Sequence, residues 1–162
     1  MQIRRFEPED AREVSALIIK TLRETSIRDY SREYIEDLVT RMGPEDILKK
    51  AQETHYYVFC DEGRIAGCGA IGPYEGKTEE SVLSSVFVLP EYQGTGLGRQ
   101  IMQTLEEDAY FLRAERIEIP ASITAVNFYR KLGYDFKNGD STLGEGELYR
   151  LEKWKKRLPQ SF

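Results

Sequence analysis

The chain has 162 residues, 40% of them apolar and 31% charged, a length and balance suited to one soluble globular domain over 1–162 with a substantial core. Acidic residues outnumber basic ones 28 to 23, for a net charge of −5; this argues against a nucleic-acid surface and mildly favours a cationic substrate over an anionic one. No apolar run approaches the ~20 residues of a membrane span, and the stretch from Met1 to Phe6 has no apolar signal core, so a cytoplasmic location with no membrane partner is expected.

Gln2 to Phe6 alternates and predicts a first strand. Pro8, Glu9 and Asp10 suit a first helical turn, and Ala11, Val14, Leu17, Ile18 and Leu22 recur at three and four. These predict an amphipathic helix of about 18 residues. The polar segment Glu24 to Ser31 interrupts it; Ser31 is a candidate cap for a second helix carrying Tyr34, Ile35, Leu38, Val39 and Met42. Gly43-Pro44 ends that helix, and a short one follows to Gln52. The period then changes to two. Tyr56–Cys60 and Ile65–Ile71 read as a hairpin around Asp61–Arg64, followed by a strand from Val82 to Leu89 that Pro90 stops.

Glycines at 94, 96 and 98 come next, then a helical face of Leu97, Ile101, Met102, Leu105, Ala109 and Leu112 ending near Arg113. Arg116 to Ala121 alternates and should lie parallel to the Val82 strand, because a helix separates them. Ser122 is a candidate cap for a helix with Val126, Tyr129 and Leu132. Short strands from Tyr134 to Lys137 and from Glu147 to Trp154 flank a loop, Asn138 to Gly146. The predicted order is β-α-α-β-β-β-α-β-α-β-β, an α+β or mixed α/β arrangement around one sheet. Cys60 and Cys68 fit neither a redox pair nor a zinc site and read as apolar strand residues. One histidine, His55, without suitably spaced carboxylates makes no metal site. Edge strands near the C-terminus permit a homodimer without requiring one.

A strand, a glycine-rich turn and a helix make a phosphate cradle, since glycines admit close backbone approach and the new helix offers free N–H groups. A lysine-dependent nucleotide loop fails, because Arg99-Gln100 follows Gly98 where lysine and a hydroxyl are needed. A dinucleotide fingerprint beginning at Gly94 needs a third glycine where Arg99 stands. Glu115 does sit about 20 residues on, but antiparallel strands precede the unit. A nucleotide-binding regulator stays open as an alternative.

The segment Gln93-Gly94-Thr95-Gly96-Leu97-Gly98, with Pro90 and Tyr92 ahead, resembles the signature Gln/Arg-x-x-Gly-x-Gly/Ala of the GNAT superfamily of acetyl-CoA-dependent N-acetyltransferases. Ala121 to Tyr134 is similar to a second landmark of that family, and the predicted element order resembles its fold. The resemblance implies a GNAT-like fold, acetyl-CoA as co-substrate, no metal, and direct transfer to an amine of a small molecule or peptide. It implies that the Val82 and Arg116 strands splay, with backbone groups of Phe87 and Val88 on the pantetheine arm. Gln93, Gly94, Thr95, Gly96, Leu97, Gly98 and Arg99 would then hold the pyrophosphate. Tyr129 matches the family's general acid, although its position on the apolar face also suits the core.

Two departures bear on chemistry. Ser122 stands where many members carry an asparagine that bonds the cofactor, leaving a shorter hydroxyl contact. The strand before the loop has Val82, Ser84 and Ser85 where some members place a catalytic glutamate. Glu80, Glu118, or a water held by Ser84 or Ser85 are the candidate bases. The missing glutamate keeps an acyl-CoA-sensing module without turnover as the alternative function. Acceptor selection is expected from Thr25 to Ser31, where Asp29 could face an ammonium or simply form a turn.

Overall fold

The computed structural model of the protein describes residues 1–155. Its strands are β1 (Gln2–Arg5), β2 (His55–Asp61), β3 (Arg64–Pro73), β4 (Glu80–Val88), β5 (Arg116–Ala121), β6 (Asp135–Phe136) and β7 (Tyr149–Trp154). They form one sheet in the order β1-β2-β3-β4-β5-β7-β6. The helices are α1 (Ala11–Glu24), α2 (Arg32–Val39), α3 (Pro44–Glu53), α4 (Leu97–Glu106), α5 (Ala109–Arg113) and α6 (Val126–Lys131). The sheet is antiparallel from β1 to β4, and β4 with β5 is its one parallel pair among the described residues. That pair is joined through α4 and α5, as the intervening helical pattern requires.

Two apolar layers sandwich the sheet. Val14, Leu17, Ile18 and Leu22 of α1 pack with Val58, Cys60, Cys68 and Ala70 on one face. Ile101, Met102 and Leu105 of α4 pack with Leu83, Ile117, Ile119 and Tyr129 on the other. Period-two strands divide their apolar side chains between both layers, so the interior is continuous across the sheet. Gly69 fixes how closely α4 approaches β3: a Cβ there would lie 2.8 Å from Ile101 Cγ2.

The long helix expected after the glycine loop is two. Asp108 interrupts it, its carboxylate accepting from Tyr110 N at 2.7 Å as the cap of α5 and pairing with His55 Nδ1 at 2.8 Å. Restarting the helix changes its phase. Phe111 and Ala114 are buried instead of Ala109 and Leu112, which are exposed. Three helices separate β1 from β2, α3 being the short one expected after Gly43-Pro44, which the predicted order β-α-α-β leaves uncounted. Ser31 caps α2 by accepting from Tyr34 N at 3.0 Å. Ser122 accepts from Ala125 N at 3.1 Å, but α6 itself begins only at Val126.

Candidate active site

The site is set by where β4 leaves its neighbour. β4 and β5 pair at Glu80–Arg116, Ser81–Ile117 and Val82–Glu118, and the ladder stops there. Two rungs further along, β4 bulges: Ser84 faces Ala70 and Phe87 faces Cys68, leaving Ser85 and Val86 opposite Gly69. Ser85 takes φ +58°, a left-handed conformation uncommon for serine, and its carbonyl accepts from Cys68 Sγ at 3.2 Å. Such a bulge bends and twists its strand, so Val86–Val88 turn from the β5 ladder toward the opening beside it.

A cavity of about 420 Å³ fills that opening. Its walls include Val86, Phe87 and Val88 of β4, Gln93, Gly94, Gly96, Gly98 and Arg99 of the glycine loop and α4, and Ser122, Phe128 and Tyr129 beyond β5. No carboxylate lines it, and Arg99 is its one charged side chain among the described residues. In a protein of net charge −5, that wall is suited to an anion. Gly96 caps α4 with φ +91°, a conformation that a side chain would strain. The amides that open α4 are thereby left for a ligand at the helix's positive end. Thr95 and Leu97 do not line the cavity: Thr95 Oγ1 donates to the Tyr92 carbonyl, and the Leu97 side chain is buried in the core. At those two positions only the backbone is available to a phosphate.

Tyr129 is 5% exposed, yet it lines this cavity and a second one. Among the described residues its hydroxyl has no hydrogen-bond partner, and burial pushes its pKa well above the ordinary tyrosine value. It is therefore a neutral donor at any working pH. Phe128 meets it edge-on, with ring centroids 5.3 Å apart.

The second cavity, about 470 Å³, lies on the α2–α3 side. The two cavities share Ser26, Val86, Phe87, Ser122, Ala125 and Tyr129. Tyr30 and Tyr34 form part of the second wall as a stacked pair, 4.4 Å between centroids. Tyr30 donates to the Glu147 carbonyl at 2.8 Å and Tyr34 to the Gly146 carbonyl at 2.6 Å, tying α2 to the segment before β7. Asp29, the residue considered for an ammonium, is exposed and lines neither cavity.

Glu80 and Glu118 also lie off both walls. Glu118 accepts from Arg116 at 2.6 and 2.9 Å and pairs with Lys137 at 2.9 Å. Glu80 pairs with Arg116 at 3.1 Å. These carboxylates lock β4 to β5 and β5 to the turn after β6. Ser84 and Ser85, by contrast, line the second cavity.

A family model for the acetyltransferase (GNAT) domain matches residues 26–148. The chain belongs to the GNAT acetyltransferases. An uncharacterized N-acetyltransferase of Bacillus subtilis (strain 168), YesJ, is 24% identical over an alignment of 148 residues that covers 83% of this chain and 81% of YesJ. The PaiA N-acetyltransferase of Thermoplasma acidophilum, solved in complex with coenzyme A, shares the fold with a TM-score of 0.79 at 17% identity, covering 94% of this chain and 98% of that one. A GNAT acetyltransferase of Brucella melitensis, solved in complex with acetyl-CoA, does so with a TM-score of 0.65 at 20% identity, covering 98% and 91%. This GNAT chain is thus an acetyl-CoA-dependent acetyltransferase.

The carboxylate-free wall with its open helix terminus fits a pyrophosphate-bearing co-substrate of this kind. Sequence reasoning missed Thr21 on that wall and assigned Thr25 and Ser26, which also line it, to acceptor selection. Thr25 Oγ1 accepts from Gln93 Nε2 at 3.0 Å, and Thr21 Oγ1 donates to the Val88 carbonyl at 3.2 Å. The one local signal was a threonine on the otherwise apolar face of α1.

Proposed function

We propose that this acetyltransferase passes the acetyl group directly to a primary amine, of a small molecule or a peptide, held in the second cavity, with Tyr129 as proton donor to the departing sulfur. The observation that carries this is the shared wall: the two cavities meet at a buried tyrosine whose hydroxyl has no hydrogen-bond partner among the described residues. Acetyl-CoA brings a thioester carbon that accepts the amine nitrogen as the carbon–sulfur bond breaks. The protein's residues position the two reactants and move the protons.

Backbone groups of Phe87 and Val88 take the amide-bearing arm. The amides from Gln93 to Arg99 take the pyrophosphate, with the Arg99 side chain adding charge and the Ser122 hydroxyl a further contact. An ammonium loses two protons, one before attack and one as the amide forms. With Glu80 and Glu118 engaged in ion pairs, both leave through water held at Ser84 and Ser85; one goes to solvent and one restores Tyr129 after it has protonated the sulfur.

Tyr129 faces an energetic difficulty if only its own pKa is considered. An ordinary phenol at ≈ 10 already lies above an ordinary thiol at ≈ 8.5, and each unit costs about 1.4 kcal/mol. Burial raises Tyr129 further. The same burial raises thiols, however: Cys68, enclosed in the core nearby, is pushed up to about 12. A thiolate forming beside the buried Tyr129 would be raised by the same desolvation. The proton therefore passes between two groups shifted in the same direction.

Thermal shift with coenzyme A, acetyl-CoA, NAD and ATP, paired with a thiol-release assay across an amine panel, tests the reading. Stabilisation by coenzyme A and acetyl-CoA but not by the nucleotides is expected, together with amine-dependent thiol release. Stabilisation without thiol release for any amine would favour a sensing role. No stabilisation at millimolar acetyl-CoA would remove the site assignment.

A further inference from the structure

If the second cavity receives the acceptor, as proposed above, its walls specify the kind of amine. Ile35, Leu38, Met42, Ile47 and Leu148 make it predominantly apolar. The stacked Tyr30 and Tyr34 add ring surface, with both hydroxyls already engaged on backbone carbonyls. Charged side chains enter its lining at three positions, Arg41, Asp46 and Lys50, all from the segment spanning the end of α2 and α3.

These three do not cancel. The Asp46 carboxylate accepts from Gly43 N at 3.0 Å, where the N-terminus of α3 holds it. Arg41 pairs at 3.1 Å with Asp37, which lies outside the lining. Lys50 is half-buried, and its ammonium has no carboxylate partner among the described residues. Two cations, Arg41 and Lys50, against one carboxylate, Asp46, leave the lining with one positive charge in excess, opposite in sign to the protein's net −5. A second ammonium on the substrate would meet Lys50, and the one carboxylate in the lining, Asp46, already accepts from Gly43 N through Oδ2. An anionic group there would gain a partner in a half-desolvated setting. Tyr129, Ser84 and Ser85 belong to the opposite, sheet-side wall, where the reacting nitrogen must lie.

We infer that the acceptor is a primary amine with an apolar body and an anionic group at the end remote from the nitrogen, the anion being received by Lys50 with help from Arg41. The expectation of a cationic substrate, drawn from overall charge, reverses locally at this wall.

Matched sets sharing one body and differing only at the remote group test this: aminohexanoate, hexylamine and hexanediamine, and para-aminomethylbenzoate, benzylamine and para-xylylenediamine. Thiol release should give kcat/KM about fivefold or more higher for the amino acid than for the diamine of each set, the scale of one partly exposed ion pair. The preference should shrink as salt is raised. Lys50→Glu should invert the order, and Lys50→Met should abolish it, with the acetyl-CoA thermal shift intact in both. Equal rates within each set, a preference for the diamines, or an unchanged order in Lys50→Glu would overturn the inference while leaving the acetyltransferase reading in place. So would turnover of none of the six by a protein that acetyl-CoA stabilises. Absence of that stabilisation would overturn the underlying site reading, and this inference with it.

Discussion

At the scale of single residues, the proposed chemistry rests on Tyr129. Its neighbours hold it in place by packing, while its hydroxyl is left without a partner among the described residues. Removing that oxygen leaves the ring, so Tyr129→Phe should fold and retain its acetyl-CoA thermal shift. Loss of a general acid typically costs about 10²-fold or more, and kcat should fall on that scale while KM for acetyl-CoA changes little. Unchanged turnover in the phenylalanine variant would remove the assignment. The raised pKa adds a second readout. A tyrosine of ordinary pKa would begin to lose its proton near pH 10. Because the folded-state value of Tyr129 lies above that, its donor form persists through that range. A kcat that declines with a midpoint below about 10, and only when Tyr129 is present, would contradict this.

At the scale of elements, the cofactor wall depends on α4 lying directly on β3. Gly69 permits this, and a Cβ there would stand 2.8 Å from Ile101 Cγ2 and 3.0 Å from Leu105 Cδ1. Gly69→Ala should therefore lift α4 by a few tenths of an ångström. Overpacking of this kind costs roughly 1–3 kcal/mol, and the displaced helix terminus should weaken acetyl-CoA binding. A chemical-denaturation midpoint equal to the wild type's would show that the layer relaxes freely. The strands were legible in the sequence because period-two alternation is a local signal, as in Ile117, Ile119 and Ala121; the β2–β3 hairpin and the parallel β4–β5 pair followed from the connections, but the places of β1, β6 and β7 in the sheet did not. The glycine loop was legible for the same reason. The bulge at Ser85 was not, since it places a serine at positive φ, where sequence preference points to glycine or asparagine. Nor was the break at Asp108, because the apolar spacing runs on through Ala109 and Leu112 as though one helix continued. The wall proposed for the acceptor was legible only in part: Thr25–Ser31 and the Ser84–Ser85 pair were singled out, whereas Lys50 and Leu148 were not. Tyr30, Lys50, Ser84 and Leu148 come from four separated segments, and no short-range pattern links them.

At the scale of the whole molecule, one sheet presents two cavities to a common wall, and this constrains the kinetic mechanism. A substituted-enzyme route would need a nucleophile at the junction to carry the acetyl group between half-reactions. The two cysteines are the obvious candidates, and the fold places both elsewhere. Cys60 lies on β2 and Cys68 on β3, buried in the layer beneath α1, and neither lines a cavity. The Cys68 thiol, pushed up to about 12 by burial, is also protonated at neutral pH and a poor nucleophile. Both substrates should accordingly be bound together before the carbon–sulfur bond breaks. Initial rates measured against acetyl-CoA at several fixed amine concentrations should give intersecting double-reciprocal lines. Acetyl-CoA alone should leave no acetylated protein detectable by intact mass. Cys60→Ala should turn over near the wild-type rate. Cys68→Ala should do the same once folded, with a loss of stability on the scale of a small core deletion because Cys68 packs at the bulge and its thiol bonds the Ser85 carbonyl. Parallel lines, or an acetyl group trapped on either cysteine, would require the junction at Tyr129 to be reassigned from a site of direct transfer to one stage of a relay.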